Sequence, residues 1–349
     1  MKFKLDKKDF EYFLKELMET HDLFAPVRMT EGVSVFKKID RPEEVNLSQL
    51  VPQKSSKEAF FPQSEAMFRY EMAENQRPVI SEQPAEKERI LLGARPCDIE
   101  AISITEKVFV GKDYTDVYFL EKRKKTTVIG LGCNRPLSTC FCSSTGGGPF
   151  NRAGSDLFFT DLGEAHLVEL LTEKGMAFRK NRFFGEADPK DLILMKEIEE
   201  KASQKVDRSI PVEGIEKRLD LMVDSPFWDR VHEKCLGCGV CTFLCPTCHC
   251  FDITDEAVNQ KGQRVRNWDS CLFPIYSLET SGHNPRPTGR ERTRQRLMHK
   301  FNYYPKNFGR VACVGCGRCI QYCPVQFDIR EALLYASAKR RKSLKGKSR

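Results

Sequence analysis

An α/β amino-terminal domain followed by an α+β domain with a long insertion is the fold class that three observations in the sequence predict. The first is a strand, helix, strand order: Ile90-Leu91-Leu92, then a helix opening at Cys97, then an apolar run over Thr126–Leu131. That order is the signature of a parallel α/β arrangement. The second is a repeated twelve-residue stretch, Cys235-Leu-Gly-Cys238-Gly-Val-Cys241-Thr-Phe-Leu-Cys245-Pro246 and Cys313-Val-Gly-Cys316-Gly-Arg-Cys319-Ile-Gln-Tyr-Cys323-Pro324, identical at seven positions. Its spacing, Cys-x2-Cys-x2-Cys-x3-Cys-Pro, is that of a bacterial-type dicluster ferredoxin, in which three thiolates hold one 4Fe-4S cube and the fourth crosses to the partner cube. The third is the distance between the copies: 67 residues separate Cys245 from Cys313, far more than a minimal ferredoxin needs.

A chain of 349 residues has room for two domains, each with its own core. The expected division is an α/β domain over 1–186, a helical connector over 187–230, the ferredoxin domain over 231–336 with its insertion at 246–312, and a basic, disordered tail over 337–349. The opening residues are charged and no run of eighteen apolar residues occurs, so neither a secretory signal nor a membrane span is expected, and the protein reads as soluble and cytoplasmic. Fifteen cysteines without an export signal argue for metal binding over disulfides. Seven of the net eight positive charges come from Lys339, Arg340, Arg341, Lys342, Lys345, Lys347 and Arg349. A short basic tail of that kind is a solvated end, and no nucleic-acid partner is expected.

Taken in order, Phe10, Phe13, Leu14 and Leu17 recur at helical spacing, so a core-facing amphipathic helix is expected over 8–20. From 22 to 88, prolines at 26, 42, 52, 62, 78 and 84 allow only short strands and turns. After the strand at 90–92, Gly93 turns and the helix from Cys97 runs towards Phe109. Strands at Thr126–Leu131 and 156–160 and a helix over 164–175 complete the first module. Asp188-Pro189 is a helix start with its cap and first-turn proline, and Ser225-Pro226 opens a second helix leading into Cys235.

The ligand assignment follows from the crossover. Cys235, Cys238, Cys241 and Cys323 form one cluster site, and Cys313, Cys316, Cys319 and Cys245 the other. Gly237, Gly239, Gly315 and Gly317 leave room for backbone N–H groups to turn towards a cube. Zinc, the other habitual guest of Cys-x2-Cys motifs, does not call for this doubled pattern. Cys97, Cys133, Cys140 and Cys142, drawn from two strand-end loops, make a quartet that reads as a third Fe-S site, against the alternatives of a buried small hydrophobe or a redox pair. Inside the insertion, Cys248, Cys250 and Cys271 could form an extra metal site, completed by His249 or Asp269, or could be packed thiols. The basic run Arg286, Arg290, Arg292, Arg294 and Arg296, ending in His299-Lys300, lacks aromatic interleaving and so reads as salt-bridge partners of neighbouring subunits or of the acidic helices, against the alternative of nucleic-acid contact. Gly146-Gly147-Gly148 neither fits GxGxxG nor opens a helix, which leaves little case for a nucleotide.

Several motifs carry a resemblance: Arg95-Pro-Cys-Asp-Ile-Glu-Ala-Ile, Gly130-Leu-Gly-Cys, Cys140-Phe-Cys, Cys245-Pro-Thr-Cys-His-Cys, Trp268-Asp-Ser-Cys, Gly282-His-Asn and the Cys313 motif. Together they resemble the iron-sulfur β subunits of cytosolic sulfhydrogenases, the similar iron-sulfur subunit of anaerobic sulfite reductase, and related proteins of heterodisulfide-reductase-linked flavin oxidoreductases. The likeness runs from about Phe60 to Ile329. It implies a non-catalytic electron bridge in a multisubunit redox complex. On one side would be a FAD- and NAD(P)-binding reductase subunit. On the other would be a catalytic subunit of NiFe-hydrogenase, sulfite reductase or heterodisulfide reductase type. A fainter resemblance of the Cys97 and Cys133 region to deazaflavin-reducing hydrogenase β subunits implies the rival: a flavin-containing reductase subunit that oxidises NAD(P)H or a deazaflavin. A zinc-bearing nucleic-acid-binding module is the remaining alternative.

Overall fold

The computed structural model describes residues 1–30, 32–48, 51–73, 77–81 and 87–345, with side chains described as far as 337. Pro84, Lys347 and Arg349 lie outside the described residues. The larger sheet is built from β1 (Lys2–Asp6), β2 (Asp22–Thr30), β3 (Val33–Lys38), and, after β4 (Ser64–Met72) and β5 (Pro78–Ser81), from β6 (Arg89–Ala94), β7 (Thr126–Leu131), β8 (Leu157–Asp161), β9 (Ala165–Leu170) and β10 (Gly185–Glu186). Its order is β10-β1-β9-β8-β7-β6-β2-β3. The centre is parallel, with β2, β6, β7 and β8 side by side, and antiparallel pairs flank it.

Because side chains alternate across a strand, the apolar run of β6 feeds two cores. Ile90 and Leu92 join Phe13, Leu14 and Leu17 of the helix Lys7–Thr20 on one face, while Leu91 joins Phe60, Phe61, Ile99, Phe109 and Trp268 on the other. Every residue of β6 and β7 is buried, as a parallel strand covered on both faces must be. The helix Pro96–Phe109 makes the crossover between them together with Val117–Lys125, a second helix that the sequence did not suggest.

Three expectations change. The helix anticipated over 164–175 is the strand β9, paired antiparallel with both β8 and β1, and only Glu173–Met176 is helical. Gly163, at φ 101°, turns the chain between β8 and β9, and insertion between two strands overrides the weak helical pattern. Of the tail expected from 337, the residues as far as Lys345 continue the helix Ile329–Lys345, in keeping with their Ala, Leu, Lys and Arg content. Third, the expected domain division at 186 is crossed by a second sheet. Between the two cysteine stretches the chain forms the hairpin β11 (Phe251–Val258) and β12 (Lys261–Trp268), and β12 pairs with β4 in the order β11-β12-β4-β5. Arg266 of β12, buried, reaches Glu65 of β4 at 2.5 Å and also Asp116.

The carboxyl-terminal core gathers Trp228, Phe227, Leu297, Phe301, Ile329 and Leu333. Trp228 is fully buried and its indole N–H donates to the Met222 carbonyl at 2.6 Å. Phe141, from the loop after β7, belongs to this same core. Among the described residues no helix is long and apolar enough to cross a membrane.

Candidate metal centres

Each cysteine stretch is built alike. Gly239 and Gly317 take positive φ, 76° and 75°, and start the short helices Val240–Phe243 and Arg318–Gln321, while Gly237 and Gly315, at 69° and 58°, turn the preceding residues. These dihedrals are open to glycine and strained for other residues. Cys235, Cys238, Cys241 and Cys323 line one cavity, so the last cysteine of the second copy meets the first three of the first copy. Leu272, Phe327 and Arg296 fill the wall between them. Among the described residues no carboxylate lines this cavity, and the buried Arg296 Nε has no hydrogen-bond partner. Four soft thiols, apolar walls and a buried guanidinium suit an anionic iron-sulfur cube.

Cys313, Cys316 and Cys319 sit one step further in, each with Cys245 as an electrostatic neighbour. Burial pushes the Cys313 thiol up to about 12 and those of Cys316 and Cys319 to about 11. Cys245 goes the other way, held well below the ordinary thiol value by the neighbouring Cys248 thiol and by Lys300. Lys300 Nζ donates to Cys245 Sγ at 3.2 Å. Cys319 also lines the first cavity, so the second motif touches the first site directly.

The amino-terminal quartet is brought together as well. Cys97 lies in the first turn of Pro96–Phe109, just past β6; Cys133 follows β7; Cys140 and Cys142 come from the loop beyond. All four are buried and line one cavity, walled by Arg95, Pro136, Pro149, Gly315 and Cys316. Desolvation drives the Cys140 and Cys142 thiols up to about 12 and raises Cys97 and Cys133. Such thiols stay neutral until a metal displaces their protons. The glycine run closes this site: Gly146, at φ 90°, ends the turn Cys142–Thr145, and Gly148 lines the cavity.

The quartet is docked onto the second cysteine motif. Phe141 N–H donates to the Gly315 carbonyl at 2.8 Å, and Cys140 Sγ lies 3.7 Å from the Cys316 carbonyl oxygen. A Cβ on Gly315 would stand 2.5 Å from the backbone of Phe141 and Cys142. Beside this contact Asp98 holds Arg318 in a bidentate pair at 2.7 and 2.9 Å, both side chains buried. Sequence reading missed this pair, although Arg318 stands where the first copy has Val240.

Cys248, Cys250 and Cys271 have different neighbours. The Cys248 thiol lies beside Cys245, which raises it, and the Cys250 thiol beside Cys271 and Tyr276, which lower it. The His249 and His299 rings meet at 5.2 Å, and burial lowers both imidazoles to about 4. Among the described residues no three His, Cys, Asp or Glu side chains are grouped to hold a single metal ion. The arginine run is absorbed by the fold: Arg290 pairs with Asp229 at 2.7 Å and Arg294 with Asp224 at 3.8 Å, Arg292 donates to the Arg286 and Pro287 carbonyls, and Arg286 lies over the Tyr276 ring.

Residues 234–327, which span both cysteine stretches, match the family model of a 4Fe-4S dicluster domain. Along 328 residues, 93% of this chain and 95% of the relative, the sequence is 34% identical to the sulfhydrogenase 2 subunit beta of Pyrococcus furiosus. No solved structure matches the chain. Identity of that degree along nearly the full length of both chains, with the dicluster match lying on the doubled cysteine motif, makes this chain a member of the sulfhydrogenase β-subunit family.

Proposed function

We propose that this chain is the electron-transfer subunit of a hydrogenase-type complex, relaying single electrons between a FAD- and NAD(P)-linked partner and a catalytic subunit of hydrogenase, sulfite reductase or heterodisulfide reductase type. The observation that carries this reading is the crossed thiol quartet Cys235, Cys238, Cys241 and Cys323 around one cavity. Bound 4Fe-4S cubes supply one-electron chemistry there. Cys313, Cys316, Cys319 and Cys245 would hold the second centre and Cys97, Cys133, Cys140 and Cys142 a third.

The chain's own residues support an order. The Cys313 motif contributes Cys319 to one cavity and Cys316 to the other, which supports a reading with the Cys313 centre between the other two. At the Cys235 end Cys238 is exposed and Leu236 is 69% exposed, so electrons would pass to or from a partner there. At the Cys97 end the four cysteines themselves are buried.

Anaerobically purified protein is expected to carry about twelve irons, and Cys140→Ser about eight with the ferredoxin signals intact. A wild-type content well below about eight, with no visible absorbance, would remove the relay. Unchanged iron in Cys140→Ser would remove the third centre alone.

A further inference from the structure

Several buried cations of this fold face carboxylates. Arg318 has Asp98, Arg266 has Glu65 and Asp116, and Lys122 has Glu65. Lys57, Arg296 and Lys300 behave differently: they are 6%, 3% and 4% exposed, yet among the described residues none has a carboxylate within ion-pair distance. All three lie beside the cysteine motifs. Lys57 donates to the Cys248 carbonyl at 2.9 Å and covers the Trp268 ring, and Arg296 lines the first cavity.

Lys300 is the most directly placed. Its ammonium donates to Cys245 Sγ at 3.2 Å, to Thr247 Oγ1 at 2.9 Å and to the Ala312 carbonyl at 3.1 Å. It sits in the π-helical turn His299–Tyr303, a local widening that occurs often at functional sites. A buried ammonium with only neutral oxygen acceptors is poorly compensated. Its counter-charge must come from sulfur, and the sulfur it touches is the cysteine that crosses to the Cys313 motif.

We propose that Lys300 sets the reduction potential of the centre held by Cys313, Cys316, Cys319 and Cys245, raising it through its fixed charge and its N–H···S bond; this rests on the relay reading above. One-electron reduction adds one negative charge to that centre and moves no proton from Lys300. A cation held against a ligand sulfur stabilises the reduced state over the oxidised one, and hydrogen bonds to sulfur and local charge are the levers by which proteins tune such centres.

The test is a potentiometric titration of the full-length, anaerobically purified chain, followed by electron paramagnetic resonance and paired with iron analysis. Lys300→Met is expected to lower one midpoint potential while leaving the others and the iron content in place, and Lys300→Arg to stay near wild type. Unmoved midpoints in Lys300→Met with full iron overturn the proposal, as does a Lys300→Arg shift as large as that of Lys300→Met. Should Lys300→Met lose iron, Lys300→Gln keeps a donor without the charge, and its midpoint decides in the same sense. Iron loss in all three variants assigns Lys300 a structural role and overturns the proposal. Iron deficiency in the wild type would instead fail the relay reading itself.

Discussion

Asp98 and Arg318 show how much a single contact carries. Their side chains are 0% and 1% exposed, and Arg318 Nε also donates to the Pro52 carbonyl at 2.8 Å. Breaking a buried pair strands a charge, a loss of about 3–5 kcal/mol. Asp98→Ala is therefore expected to destabilise the protein by roughly that amount in anaerobic denaturant titration. An effect below about 1 kcal/mol would mean that water reaches Arg318. Asp98 was visible in the sequence only as part of the Arg95-Pro-Cys-Asp motif. Its partner lies 220 positions away, and no local pattern connects the two.

At the scale of elements, the repeated motif builds two similar turns that face different surroundings. A Cβ on Gly237 would meet the Leu272 carbonyl at 3.6 Å, an ordinary contact, whereas on Gly315 it would collide with the loop carrying Cys140 and Cys142. Both positions have positive φ, so alanine carries a strain of roughly 1–2 kcal/mol at either. Gly315→Ala is expected to lose the iron of the amino-terminal quartet as well, while Gly237→Ala retains it; equal iron content in the two variants would contradict this. The helices Lys7–Thr20, Pro96–Phe109 and Pro189–Gln204 were legible in advance because periodicity, prolines and the Asp188 capping box are local signals. Strand β9 was not, because its conformation is decided by its partners β1 and β8.

Across the whole molecule, the two halves share their packing. Phe141 sits in the carboxyl-terminal core, Trp268 in the amino-terminal one, and Tyr304 donates from the insertion to the Ile104 carbonyl at 2.7 Å. If the clusters are the counter-charges of Lys300 and Arg296, their removal leaves buried cations uncompensated where the halves meet. Iron-depleted protein is expected to melt well below the iron-loaded form, as one cooperative transition. Separate melting of the two halves in thermal scans would contradict the shared core.

Spacing along the chain was enough to single out eight cysteines as an expected pair of crossed ligand sets, and to show the parallel strand-helix-strand unit and the family. That the amino-terminal quartet rings one cavity, that it docks on the Cys313 motif, and that the β11–β12 hairpin joins the sheet of β4 became visible in the folded chain alone. It also decided which of many lysines and arginines are buried against sulfur. The physical reason is that a covalent motif dictates ligand type and local turn, whereas desolvation and charge compensation depend on residues distant in the chain that close around it.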